Sequence, residues 1–327
     1  MKYATLGTSG LNVSRIGFGA LTFTQGNTSL RSVYKVGAGL ADALVGRALD
    51  AGVNFFDTAD VYADGESETL LGAALRPHRD EVILTTKVGN SRGGLSKAHI
   101  LASIDASLKR LGTDRIDYYV AHREDTRTPL EETLAAFDTV VRAGKVRYLG
   151  FSNWTAWKAA AALEIQKANG LAPFTHGQMY YSLLGRDVER DMVQMMRRYG
   201  LGMTVWSPLA YGFLSGAYSR EDLSKPDNRF SHFDMLKFDK DKGFAVVELL
   251  RSIAGAHGVT PAQVAIAWVL AREGVASVLV GATKMAQLED NLAAVDVILT
   301  EEEIAMLDAT TAIEPIYATS QWVQPGK

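Results

Sequence analysis

Cysteine is absent from the 327 residues. That removes disulfides, thiolate zinc sites and cysteine nucleophiles together, and it fits a reducing cytoplasm. There is no basic run either. Lys+Arg number 34 against Asp+Glu 37, for a formal net charge of −3, so nucleic acid is not an expected partner. No stretch approaches the roughly 18 uninterrupted apolar residues of a membrane span. The opening MKYATLGTSGLNVSRIGFGAL interrupts its apolar residues with glycine and serine before a signal-peptide core can form. A cytoplasmic chain with no membrane partner is the expectation. The six histidines (78, 99, 122, 176, 232 and 257) are scattered and no H-E-x-x-H occurs, so no metal site is expected. A G-x-G-x-x-G fingerprint is missing as well. Gly17-Phe18-Gly19 is followed by threonine at position 22, which counts against an open doubly wound sheet.

What is present is alternation. Short apolar runs read as strands at RIGFGAL (15–21), NFFDTA (54–59), VILTTKV (82–88), IDYYVAH (116–122), YLGFSN (148–153), THGQMYY (175–181), GMTVWSPL (202–209) and SVLVGAT (277–283). Amphipathic helical patterns lie between them at 39–51, 66–75, 97–110, 130–143, 155–168, 187–199, 244–257 and 284–293. Buried strands alternating with helices mean parallel βαβ units. Eight such units predict a (β/α)8 TIM barrel, here one domain over 1–327. Thr128-Pro129 is expected to open a helix with proline in its first turn. Thr260 and Gln263 have capping-box spacing, and Thr300-Glu301-Glu302-Glu303 reads as a capped start with acids on its positive end. Three parts fall outside the repeat: an N-terminal hairpin around Ser9-Gly10 that is expected to plug the barrel bottom, a long loop at 210–243 after strand seven, and a C-terminal extra helix and tail. Long loops in compact domains usually serve a ligand.

Active sites of such barrels sit at the C-terminal ends of the strands. Asp57 ends the second strand, Lys87 the third and His122 the fourth, and Tyr62 lies in the loop after the second. Singly, each has an ordinary structural explanation. Together they form an acid–base set. Lys87 beside Tyr62 is expected to favour the phenolate and lower the tyrosine pKa. Asp57 would hold Lys87, and His122 would orient a carbonyl oxygen. Such a site delivers a proton to a developing alkoxide. Hydride must come from a nicotinamide cofactor, because no side chain supplies it. Gly281-Ala282-Thr283 before a helix is the expected phosphate position. Trp206 offers a flat face to a nicotinamide ring, and Gln178 a partner for its carboxamide.

Taken in order, GFGAL (17–21), GVNFFDTADVY (52–62), TTKVG (85–89), HRED (122–125), GKVRYLGFSN (144–153), WSPLAYGFLSG (206–216) and VLVGATKMAQLEDNL (278–292) resemble the aldo-keto reductases over essentially the full length. The chain is most similar to the branch that includes the β subunits of voltage-gated potassium channels and their bacterial relatives. The resemblance implies a catalytic tetrad of Asp57, Tyr62, Lys87 and His122, with Tyr62 as general acid. It implies cofactor contacts from Gly19, Ala20 and Leu21, and from Ser152, Asn153 and Gln178 around the nicotinamide amide, with Trp206 stacked on the ring. Ser207, Leu209, Ala210 and Gly212 would line the pyrophosphate. Gly281, Thr283, Gln287, Asp290 and Asn291 would hold the adenosine end, and Arg229 would reach the phosphates.

Two departures from the family pattern matter. The channel subunits carry asparagine where this chain has His122, which favours a working reductase. Many members place an arginine on the adenosine 2′-phosphate where Gln287 stands, which weakens NADP selectivity unless Lys284 and Arg229 compensate. NADPH is the expected cofactor, with NADH possible. A small-molecule carbonyl substrate is expected, an aldehyde or a bulky ring ketone of sugar, steroid or terpenoid-toxin type. Its pocket is expected from 23–36, Tyr62, Trp154, the long loop and the tail near Trp322. Monomers and homo-oligomers both occur in the family. Two other functions fit the same residues: a nucleotide-binding regulatory module with little turnover, and a Schiff-base aldolase using Lys87.

Overall fold

The computed structural model describes residues 1–225, 230 and 235–314. Eight strands close into one parallel barrel: β3 (Ile16–Gly19), β4 (Phe55–Asp57), β5 (Ile83–Val88), β6 (Ile116–Ala121), β7 (Val146–Ser152), β8 (Phe174–Tyr180), β9 (Gly202–Trp206) and β10 (Val275–Val280). β10 pairs with β3 to complete the ring. Each expected strand overlaps one of these: five contain it, while β7, β8 and β10 begin one or two residues earlier than expected. Helices α1 (Ala38–Asp50), α2 (Glu66–Leu75), α3 (Lys97–Leu111), α4 (Leu130–Arg142), α5 (Ala156–Ala168) and α6 (Met192–Tyr199) follow the strands. Later helices cover Lys240–His257, Pro261–Leu270, Met285–Ala293 and Glu301–Thr310.

Side-chain direction in a strand alternates with period two, and this rule sets the contents of the barrel. Phe55, Ile83, Tyr118 and Leu279 point inward at the lower end. Their odd-and-even partners one residue on, such as Phe56, Leu84 and Tyr119, pack outward under the helices. The bulk of the lower layer needs room beside it. A Cβ on Gly17 would lie 2.7 Å from the Phe55 ring, and one on Gly150 would lie 2.4 Å from His176 Nδ1. Counting upward by two from the inward residues reaches Asp57, Lys87, His122, Gln178 and Trp206 at the upper rim. The positions picked out in the sequence therefore share the inward face and one end of the barrel.

The N-terminal hairpin is present. β1 (Tyr3–Thr5) pairs antiparallel with β2 (Asn12–Ser14). Leu6 and Val13 are fully buried against Phe55, Ile83 and Tyr118, closing the lower end.

Local chemistry departs from expectation at four helix starts. Pro129 is the N-cap of α4 rather than part of its first turn. A short 3-10 turn takes Asp187–Glu189, and Asp191, with φ −148° and ψ −32°, is the N-cap that delays α6 to Met192. The helix after the long loop starts at Lys240, earlier than 244, because the Asp239 carboxylate accepts from the N–H groups of Asp241 and Lys242. Thr260 caps its helix, but no capping box closes there: Gln263 Nε2 donates to Asp290 instead, at 2.8 Å. The Thr300–Glu303 capping box does form. Among the described residues no single helix is long and apolar enough to cross a membrane.

Candidate active site

β4 delivers Asp57 and β5 delivers Lys87. Their register pairs Asp57 with Thr85, so Lys87 stands one inward position higher. Lys87 is wholly buried and its ammonium has three acceptors: Asp57 Oδ1 at 2.5 Å, the Thr58 carbonyl at 2.7 Å and the Tyr62 hydroxyl at 3.2 Å. Gln178 Nε2 donates to the other Asp57 oxygen at 2.8 Å. The segment that carries Tyr62 hangs on β5 through Thr58 N–H to Thr85 O at 3.0 Å and Asp60 N–H to Lys87 O at 3.2 Å. Beyond Tyr62, Ala63 and Asp64 hold φ of 48° and 54°, a left-handed turn that is costly for residues with a Cβ. The Glu66 carboxylate then pins the preceding loop, accepting from Thr24 Oγ1 at 2.7 Å and Gln25 N–H at 2.6 Å.

His122 directly follows β6. Its ring meets the Tyr62 ring edge-on, with centroids 5.7 Å apart. Burial, aided by the charges of Lys87 and Arg123, holds its pKa well below the usual imidazole value, so the ring is neutral. Its Nδ1 has no hydrogen-bond partner among the described residues. A neutral ring with an unspent nitrogen beside a phenol suits a carbonyl oxygen lying between them.

The tyrosine departs from the sequence reading. Burial pushes the Tyr62 phenol up, Lys87 pulls it back and Asp57 pushes it up again, and the result lies above the ordinary value of 10.0. Tyr62 therefore holds its proton throughout the neutral range, as a proton donor must. Burial alone would discharge Lys87, but Asp57 and Tyr62 outweigh it and raise its pKa.

A second polar cluster lies behind the tyrosine loop, and the sequence gives it no motif. Glu68 is fully buried and accepts from Thr86 Oγ1 and Arg110 Nε, each at 2.6 Å. Asp60 faces it with Oδ1 unpartnered among the described residues. Burial, then the Glu68 charge, push the Asp60 carboxyl up to about 7, against Arg110 and Lys87. A carboxyl raised on folding binds its proton more tightly in the native state. It therefore weakens the fold progressively as pH rises from about 4, the unfolded value, to about 7. Asp60→Asn is expected to melt close to the parent at pH 4 and above it at pH 8. Thermal melts across that range test this, and a difference that is flat with pH would contradict it.

The remaining upper-rim residues form a continuous arc. Asn153, at φ 57°, donates from Nδ2 to the His122 carbonyl at 3.1 Å and to Ser152 Oγ at 2.9 Å. Its Oδ1 accepts from Trp206 Nε1 at 3.0 Å, which fixes the indole. Tyr180 packs on one side of that indole at 5.2 Å. Ser207, Ala210 and Tyr211 then hold φ of 54°, 47° and 59°, with Gly212 at 91°. The Ser207 hydroxyl accepts from Tyr211 N–H at 3.0 Å, and the Leu209 carbonyl from Gly212 N–H at 3.0 Å. All six described non-glycine residues with positive φ lie in loops after strand ends at this rim. Such clustering is typical of ligand sites.

Across the barrel, a Cβ on Gly281 would lie 3.2 Å from Gly19 O, so both strand ends approach as bare backbone. Leu21 is half-buried just beyond. Thr283 donates twice to Gln287 Oε1, at 3.0 Å each, and Asn291 Nδ2 reaches Gly281 O at 3.5 Å. Two expected contacts are spent internally. Ala20 gives its N–H to Asp57 O and takes Ser67 Oγ on its carbonyl. Asp290 accepts from Thr260 and Gln263. Trp154, expected in the pocket, is instead 3 % exposed and packs on Phe151 and Phe174. Arg229 and Trp322 lie outside the described residues.

Residues 15–312 match the model of the aldo/keto reductase family. The chain belongs to the aldo/keto reductase family. It is 37 % identical over 330 residues to a probable voltage-gated potassium channel subunit beta of Oryza sativa subsp. japonica, covering 96 % of this chain and 98 % of that one. It is 36 % identical to a protein of the same description from Arabidopsis thaliana, covering 91 % and 92 %. It is 33 % identical to a probable aldo-keto reductase 1 of Glycine max, covering 91 % and 86 %. As an aldo/keto reductase it is an oxidoreductase of carbonyl groups, of a family that uses NAD(P)H.

Proposed function

We propose that this aldo/keto reductase reduces aldehydes and ketones with NADPH, using Asp57, Tyr62, Lys87 and His122 as its catalytic set. One observation carries the reading: a single buried ammonium, on Lys87, binds both the Asp57 carboxylate and the Tyr62 hydroxyl. The upper rim also suits a dinucleotide. Gly19 and Gly281 leave a cradle that side chains would fill, the Trp206 indole is fixed and half-exposed, and His122 keeps an unspent nitrogen.

A bound nicotinamide supplies the hydride. The protein's own residues do the rest. Tyr62 and His122 donate hydrogen bonds to a carbonyl oxygen between them, and Tyr62 gives its proton to that oxygen as negative charge develops. Lys87 stabilises the phenolate left behind. Asp57, held by Gln178, keeps Lys87 charged and in place. The alcohol leaves and Tyr62 regains a proton from water. The substrates that fit this reading are aldehydes and ring ketones, in a cytoplasmic setting. Small-molecule turnover needs no macromolecular partner, and assembly of like subunits is compatible with it.

Selection of NADPH over NADH rests on Lys284, exposed just before the helix Met285–Ala293, since Gln287 is occupied with Thr283. Titrating the tryptophan fluorescence with each cofactor tests this. NADPH is expected to bind at least about tenfold more tightly, a difference near 1.4 kcal/mol, and Lys284→Ala should narrow the gap. Equal affinities in the parent would replace NADPH with either cofactor.

A further inference from the structure

The loops after β5 and β6 line an open polar cavity of roughly 340 Å³. Arg92, Arg123 and Arg127 line it, together with Asn90 and the backbone of Gly94. Asn90 comes three residues after Lys87, and Arg123 directly follows His122 and its charge acts on that ring, so the cavity lies at the same end of the barrel as the catalytic set. Its two carboxylates are engaged elsewhere. Glu124 Oε1 accepts from Thr155 N–H at 2.5 Å and Thr155 Oγ1 at 2.6 Å, at the start of α5. Asp125, whose side chain is 7 % exposed, accepts from Leu95 N–H and Thr128 Oγ1, each at 2.8 Å, and from Arg127 N–H at 2.9 Å. The bond from Leu95 ties one loop to the other, while those from Arg127 and Thr128 brace the loop after β6 itself. Arg127 Nη2 adds a second tie between the loops, to Arg92 O at 3.0 Å.

The guanidiniums of Arg92 and Arg123 have no hydrogen-bond or ion-pair partner among the described residues, while Arg127 is tied to Asp125 at 3.5 Å. Lys158 adds a further cation nearby, its Nζ donating to Asp125 O at 2.9 Å and lying 3.8 Å from Glu124. The cavity is therefore cationic within a protein of net charge −3, and its two loops are tied together while the Arg92 and Arg123 side chains stand exposed. Two planar forks on a polar wall suit an oxyanion, because guanidinium binds carboxylate and phosphate through paired N–H groups.

We propose that this cavity is a substrate subsite for an oxyanion, so that the preferred substrates are carbonyl compounds bearing a carboxylate or phosphate at the end away from the reacting carbon. The proposal rests on the carbonyl-reductase reading and names its substrate class. Arg92 and Arg123 hold the anion, and the reacting carbonyl lies toward His122 and Tyr62.

The test compares three aldehydes that differ at one position: 4-nitrobenzaldehyde, 4-formylbenzoate and 4-formylphenyl phosphate. At low salt the parent should favour an anionic aldehyde over the neutral one by tenfold or more in kcat/KM, mostly through KM. Added salt should erode the preference. Which anion leads tells carboxylate from phosphate. In Arg92→Ala/Arg123→Ala the preference ratio should fall toward one, and in Arg92→Lys/Arg123→Lys it should partly return. A parent ratio near one, or a ratio the alanine pair leaves unchanged, would overturn the subsite. Calorimetric titration with 4-formylbenzoate and 4-formylphenyl phosphate, without cofactor, separates this from the reductase reading. Binding that the alanine pair abolishes supports the subsite even if no aldehyde turns over. Absence of binding and of preference overturns it while leaving reduction of neutral aldehydes intact.

Discussion

Tyr62→Phe is expected to abolish aldehyde reduction while the protein still folds and binds cofactor. The change removes one oxygen. Lys87 keeps two of its three acceptors, Asp57 Oδ1 and the Thr58 carbonyl, so its charge remains satisfied. Losing one hydrogen bond of this type costs about 1 kcal/mol of stability. The catalytic loss is of another size. A positioned general acid contributes roughly 10²–10⁴-fold, and no neighbour can replace this one. His122 is neutral with its pKa far below 6.5, which makes it a hydrogen-bond donor rather than a proton source. Single-turnover oxidation of bound NADPH, beside a thermal melt, separates the two effects. Turnover at the parent rate in Tyr62→Phe would remove the tyrosine from the mechanism.

The second large effect is expected at Lys87. Lys87→Met conserves much of the volume but leaves Asp57 buried without its cation. Breaking a buried ion pair from one side costs about 3–5 kcal/mol, because the surviving charge stays desolvated. Gln178 still donates to Asp57 and offsets part of this. Burial already pushes the Asp57 carboxyl up, and Lys87 pulls it down. Without Lys87 the carboxyl should rise further and be protonated on folding. The native variant then binds a proton that the unfolded chain releases above about pH 4. Its deficit against the parent should therefore grow as pH rises from acid to neutral.

Asp57→Asn/Lys87→Met should recover much of the lost stability, because it removes both charges, yet recover no activity. The phenolate would still lack its cation. Melting curves of both variants, with their rates of aldehyde reduction, check the two halves independently. Equal destabilisation in the single and double variants would mean that the pair is not the cause.

The barrel and the convergence of Asp57, Tyr62, Lys87 and His122 at its upper rim were legible because both follow from local rules. Alternation with period two makes the inward face readable, and a polar residue that continues that face past an apolar run has only the upper rim to occupy. Asp57 after Phe55 and Lys87 after Ile83 are such cases. What the sequence hid came from long-range partners. The direction of the Tyr62 shift depends on how deeply the loop buries the phenol, which outweighs the expected pull of Lys87. Gln263 has capping-box spacing, but Asp290, 27 residues on, engages its amide as a donor, and the amide oxygen does not accept from the Thr260 N–H. Nothing in the sequence singles out Asp60 and Glu68, because Arg110 and Thr86 arrive from other elements. Trp154 looked like pocket lining because it follows a site strand, yet Phe151 and Phe174 draw its ring into the core. The arginine-lined cavity was invisible for the same reason, since two loops must meet before its cations share a wall.

The most direct measurement follows nicotinamide absorbance while the pure protein is mixed with a large excess of NADPH and an aldehyde. Sustained oxidation of many equivalents per protein molecule, lost in Tyr62→Phe, is the predicted result. A single equivalent consumed and then silence, with cofactor tightly retained, would contradict a working reductase and leave a nucleotide-binding regulatory protein in its place.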